Sequence, residues 1–130
     1  MSLQNEPRRL RADVVRAIHE AHIAEHGGIN GIRSTDLLDS ALARPQLFAS
    51  FEAGADLLSI GAMHAIAIAR NHPFLDGNKR TAWVVMRAFL ELNDIPLTYE
   101  AADAVTIMLA LAASELSDEE FVAWVRRAAR

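Results

Sequence analysis

Apolar residues recur at steps of three and four along nearly the whole chain, whereas the alternation of a half-buried strand is almost absent. That spacing restricts the fold to packed helices, and proline and glycine mark where each one stops. From Pro7, a residue suited to a helix's first turn, Leu10, Val14, Ile18 and Ala21 form one stripe until Gly27-Gly28 breaks it. Ser34, Thr35 and Asp36 offer N-caps for a second helix through about Ala43, closed by Pro45, with residues 45 to 54 read as loop. A third helix, about Asp56 to Arg70, aligns Leu58, Ala62, Ala65, Ile66 and Ala69, and should end near Asn71 because Pro73 disfavours helical backbone at His72. A fourth starts around Asn78, carries Ala82, Val85, Met86, Phe89 and Leu90 on one face, and ends near Asn93, ahead of Pro96. The fifth, Tyr99 to about Glu115, capped by Thr98, is apolar almost all round, which predicts a central position. Ser117 to Glu120 has the spacing of a capping box for a sixth helix, with Phe121, Trp124, Val125 and Ala128 facing inward. Nothing repeats at a fixed period and no linker separates two cores. The prediction is all-α: a single compact bundle of about six helices, one domain over residues 1–130.

Composition narrows what such a bundle can do. The chain has 130 residues, enough to bury about two-thirds of its unfolded surface without staples, and no cysteine. Disulfides, thiolate metal sites and a cysteine nucleophile are therefore excluded. A net charge of -4 gives no general attraction to polyanions, so no direct nucleic-acid binding is expected. The longest apolar run, Ala104 to Ala113, is ten residues broken by Thr106, against about 20 for a bilayer span. The basic N-terminus lacks an apolar stretch of leader length. These features predict a cytoplasmic protein with no membrane partner.

The segment that carries chemistry is NHPFLDGNKRT, Asn71 to Thr81, between two helices that should pack together. A helix beginning at Gly77 or Asn78 points unpaired N–H groups and its positive dipole end into this loop, where a phosphate or carboxylate would sit. Lys79 and Arg80 in the first turn oppose that dipole, each by about 0.3–1 kcal/mol, a cost that makes sense if an anion is bound. Gly77 permits close approach to the backbone, Asn78 can donate to a phosphate oxygen, and Asp76 is the hard carboxylate that Mg²⁺ prefers beside phosphates. His72 is the side chain best suited to accepting a proton near neutral pH, and Phe74 is expected to plug into the core and hold the loop's shape. The plainer alternative stays open: a helix cap after a Pro-containing turn, with solvated cations. The segment is not a Walker loop, having one glycine where that motif needs two and joining helix to helix.

HPFLDGNKR, His72 to Arg80, resembles the Fic-domain signature HxFx(D/E)GNGR, and more closely the HxFx(D/N)(A/G)NKR variant of the death-on-curing (Doc) toxin family. The stretches IHEAHIAEHGGINGIRSTDLLDSALARPQ, FLELN and AASELSDEEFVAW are also similar to Doc relatives, extending the likeness over nearly the whole chain. The resemblance implies the Fic/Doc fold and an ATP- and Mg²⁺-dependent transferase. In it, His72 would deprotonate a protein hydroxyl, and Asp76 would help hold Mg²⁺. Gly77 and Asn78 at the helix start would bind phosphate, while Lys79 and Arg80 would bind phosphate and stabilise developing charge. Most Fic proteins transfer AMP and carry glycine where Lys79 stands; in Doc the lysine accompanies transfer of the γ-phosphate to elongation factor Tu and arrest of translation. Phosphotransfer is therefore the reading favoured, with AMP transfer or a non-catalytic nucleotide- or antitoxin-binding module as alternatives. The resemblance further implies a Phd-like antitoxin that lays an amphipathic segment in a groove of the bundle. Inhibition within the chain is not expected, since the nearest match to the inhibitory [ST]xxxE[GN] helix, Ser2 to Glu6, is followed by Pro7. Gly27 to Arg33 falls in the family's flap region and would position a target segment.

A rival constellation is His19, His22 and His26, spaced three and four apart on one helix face. No acidic ligand is placed beside all three, so ordinary core or surface histidines are the stronger reading. His64, Trp83, Phe89 and Trp124 are read as core residues.

Overall fold

The computed structural model describes residues 7–130, and Ser2 to Glu6 lies outside them. Six helices follow one another: α1 (Ala12–His26), α2 (Thr35–Phe51), α3 (Leu57–Asn71), α4 (Asn78–Leu92), α5 (Ala101–Ala112) and α6 (Asp118–Ala128). The bundle is all-α, and among the described residues its extended pairing is a single antiparallel bridge between Ile32 and Phe74. No helix of the described residues is long and apolar enough to cross a membrane.

The centre of the bundle is α3, where eleven residues from Leu58 to Ala69 are buried. Its small residues explain this: a Cβ added at Gly61 would collide with the Leu90 side chain, so α3 and α4 meet with no room for one methyl group. The N-terminus of α3 is closed by a reciprocal capping box. Ser59 N–H donates to Asp56 Oδ1, and Asp56 N–H donates to Ser59 Oγ, both at 2.9 Å. The box at Ser117 and Glu120 starts α6 in the same way. Arg70 of α3 pairs with Asp118 of α6, Arg126 of α6 pairs with Asp56 at 2.8 Å, and Phe121 and Val125 are fully buried. Trp124 is half-buried, edge-on to Trp83 with ring centroids 5.8 Å apart. His64 donates from Nδ1 to the Ile60 carbonyl (2.9 Å), packs on Phe89, and has its pKa pushed down to about 4 by burial, so it is a neutral core histidine.

Three sequence expectations are corrected. Helix α1 begins at Ala12, five residues after Pro7, because the Asn93 side chain takes the backbone before it: Arg8 N–H donates to Asn93 Oδ1 (2.8 Å), and Asn93 Nδ2 donates to the Arg8 carbonyl (2.9 Å). Helix α2 does not stop at Pro45 but continues to Phe51. Pro45 forfeits one helical N–H, yet its ring is buried on the stripe it shares with Leu38 and Ala41, and that packing carries the helix past it. Helix α5 is not central. Ala104, Met108 and Leu111 face the core while Val105 and Leu109 are 55% and 52% exposed, because its second apolar face forms a pocket wall.

Candidate functional site

The loop from His72 to Gly77 joins the two most intimately packed helices and is fixed from both sides. Helix α3 ends with His72 in the left-handed region (φ 48°, ψ 56°), its N–H donating to the Ile68 carbonyl. Arg33 then satisfies the carbonyls at this end. Its Nε donates to His72 O (2.7 Å), its Nη2 to Asn71 O (2.8 Å), and its backbone N–H to Pro73 O (2.7 Å). Leu75 N–H donates to Gly31 O, so residues 31–33 run alongside residues 73–75. Phe74 is 1% exposed and lies under the loop with the His19 ring stacked on it, centroids 3.8 Å apart and planes 7° apart. The buried His19 donates from Nε2 to the Asp76 carbonyl (2.8 Å), which makes Nε2 the protonated nitrogen. The Asn78 side chain spans the loop: its Oδ1 accepts from Phe74 N–H (2.9 Å) and its Nδ2 donates to Phe74 O (3.0 Å). This carboxamide, expected on a phosphate, clasps the loop in this structure.

Helix α4 opens without a side-chain cap. Gly77, its N-cap, is left-handed (φ 74°), and the first intrahelical bond runs from Thr81 N–H to Gly77 O at 3.0 Å. The amides of Asn78, Lys79 and Arg80 precede that bond and have no carbonyl of their own helix to reach. They lie where Lys79 and Arg80, both exposed, put two cations. Asp76 is exposed beside them; its Oδ2 accepts from Ile29 N–H (3.2 Å) and its Oδ1 from Gly77 N–H (2.8 Å), and these two amides hold its carboxyl below the usual range, hence ionised.

These groups border a cavity of about 320 Å³. One end is polar, formed by Asp76, Gly77, Asn78, Lys79 and Arg80; the other is apolar, formed by Trp83 of α4 and Ala104, Val105, Met108 and Leu109 of α5. An anion joined to a flat apolar group matches that division. Of the sequence-derived site residues, His72 and Phe74 do not border the cavity. Phe74 is buried and His72 is exposed. The α5 wall was missed because nothing local distinguishes a pocket wall from a core stripe. His22, read from sequence as an ordinary core or surface histidine in preference to a metal ligand, also borders the cavity. Burial and the Arg80 charge push it below the usual histidine range, so it is neutral at pH 7. The three histidines diverge: His19 turns into the core, while His22 and His26 stay together with ring centroids 4.9 Å apart. Among the described residues no three His, Cys, Asp or Glu side chains are grouped to hold a metal ion.

Comparison with known proteins agrees with this loop-and-bundle arrangement. Over 120 residues, covering 92% of this chain and 94% of the relative, the sequence is 28% identical to Protein kinase doc of Escherichia phage P1. It is 42% identical to Toxin Doc of Mycolicibacterium smegmatis over 72 residues, 55% of each chain. Residues 9–90, well over half of the chain and containing the whole loop, match the Fic/DOC family. The chain belongs to the Fic/DOC family.

Proposed function

We propose that this protein is the toxin of a toxin–antitoxin pair and that its pocket transfers the γ-phosphate of ATP to a hydroxyl of a target protein. The observation that carries the reading is the open start of α4: uncapped amides, Lys79 and Arg80 facing a cavity whose far end is apolar. A nucleotide would place its phosphates on the amides and cations and its base against Trp83 and the α5 wall. The names of the two relatives, a protein kinase and a toxin, support phosphotransfer and toxicity respectively.

The chemistry divides among named groups. His72, exposed on the loop, would take the hydroxyl proton of an acceptor arriving from solvent. The acceptor oxygen then bonds to the γ-phosphorus as the bond to the bridging oxygen breaks, leaving ADP. Lys79, Arg80 and the α4 amides stabilise charge on the moving phosphoryl group and on ADP. Asp76 fits a Mg²⁺ ion: its carboxylate is ionised, exposed and at the cavity edge, with lone pairs beyond those used by two amides. A single carboxylate suits Mg²⁺ that takes its remaining ligands from phosphate and water, and the bound ion would neutralise phosphate charge. The acceptor proposed from family resemblance is elongation factor Tu, and the silencing partner a Phd-like antitoxin whose amphipathic segment occupies a groove.

The test is incubation with elongation factor Tu and ATP labelled at either end. Label should reach the acceptor from the γ-position and not from the α-position; label from the α-position alone would make this an AMP transferase.

A further inference from the structure

We infer that His22 is a phosphate-binding side chain of this pocket, contributed by α1 from outside the linear motif; the inference rests on the nucleotide reading above. His22 borders the cavity beside the start of α4. Its ring edge lies against Gly77: a Cβ built on that glycine would stand 2.7 Å from His22 Cδ2 and 3.1 Å from Nε2. Ring and glycine are thus fitted to each other, and the ring occupies the space an ordinary side chain at position 77 would need. Nδ1 is sealed from solvent and, among the described residues, has no hydrogen-bond partner.

That orphaned atom selects the tautomer. A buried N–H without an acceptor is among the rarest arrangements in folded proteins, and an unpaired acceptor lone pair is tolerated better. The hydrogen of the neutral ring therefore belongs on Nε2, on the edge that faces Gly77. A donor there extends the row of α4 amides, and an anionic oxygen seated on that row is the acceptor it lacks. The His26 ring lies beside it, with ring centroids 4.9 Å apart. No other side chain of α1 reaches this cavity, so His22 is the means by which α1 touches the phosphate chain.

The test is isothermal titration of the full chain with Mg-ATP, comparing the parent with His22→Phe, which keeps a ring over Gly77 without the donor, and His22→Gln, which restores an N–H. The Phe variant should bind roughly tenfold or more weakly, and the Gln variant should recover most of that loss. Thermal midpoints of all three should agree within about 3 °C. A Phe variant that binds like the parent overturns the inference, as do Phe and Gln variants equally impaired, or an affinity loss that tracks a fall in midpoint. A parent that binds no nucleotide overturns the reading of the site and this inference together.

Discussion

The starts of α3 and α4 are built to opposite rules. Asp56 and Ser59 satisfy each other's amides at the first, and Arg126 closes over the carboxylate. At the second there is a left-handed glycine, no side-chain cap, no acidic residue in the first turn, and Lys79 with Arg80 set against the dipole. The α6 start, with Asp118, Glu119 and Glu120 in its first turn, follows the α3 rule. A helix end that completes its own hydrogen bonds contributes stability; one that leaves them open does so at an energetic cost, and under the proposed function that cost is offset by a bound anion.

The largest effect expected from breaking this contrast is chemical. His72→Ala should lower γ-phosphate transfer by at least about a hundredfold, the usual span of a general base, while leaving the thermal midpoint unchanged because the side chain is exposed. Gly77→Ala comes next. Its positive φ costs a residue with a Cβ about 1–2 kcal/mol, and the new methyl would strike His22, so urea denaturation should show a loss of roughly 2 kcal/mol together with weaker Mg-ATP binding.

At the opposite helix start, Asp56→Ala should cost about 1 kcal/mol of stability and leave transfer untouched. Most of that is the lost cap, since the Arg126 pair is nearly half-exposed and adds little. The same carboxylate carries a pH signature. Arg126 and Ser59 hold it well below the usual range, so its contribution is complete above about pH 4, where the unfolded group is also ionised, and declines as pH falls further. Acid unfolding of the parent and Asp56→Ala should therefore converge at low pH.

The smallest effect has the opposite sign. Lys79→Ala removes a cation from the positive end of α4 and should raise the unfolding free energy by about 0.3–1 kcal/mol while lowering Mg-ATP affinity. A variant both more stable and less able to bind nucleotide is the sharpest statement of the contrast. Loss of both properties would place Lys79 in the structural class.

Much of this was legible from sequence, for identifiable reasons. Helices α3, α4 and α6 begin where caps and glycine say they should, because those signals act within four residues. Pro45 misled because the stop it signals locally was outweighed by burial against α3, which is tertiary. The position of α5 misled because apolar content does not separate a core-facing side from one lining a cavity; Val105 and Leu109 belong to the second kind. The cavity lining was legible where it is contiguous, from Asp76 to Arg80. It was not legible where α1 and α5 complete it. His22 stood out only by its spacing from two other histidines, and the role of Asn78 as a clasp depends on a bond to a backbone four residues away.

The seam at Gly61 has a reach beyond its own neighbourhood. Because the two helices that bracket the loop touch there without slack, the separation of the loop's two anchor points is set when the core forms. The frame that carries the pocket's polar lining is therefore fixed by core packing. An enlarged side chain at the seam, outside the cavity lining, would have to push the two helices apart and with them the loop's anchor points.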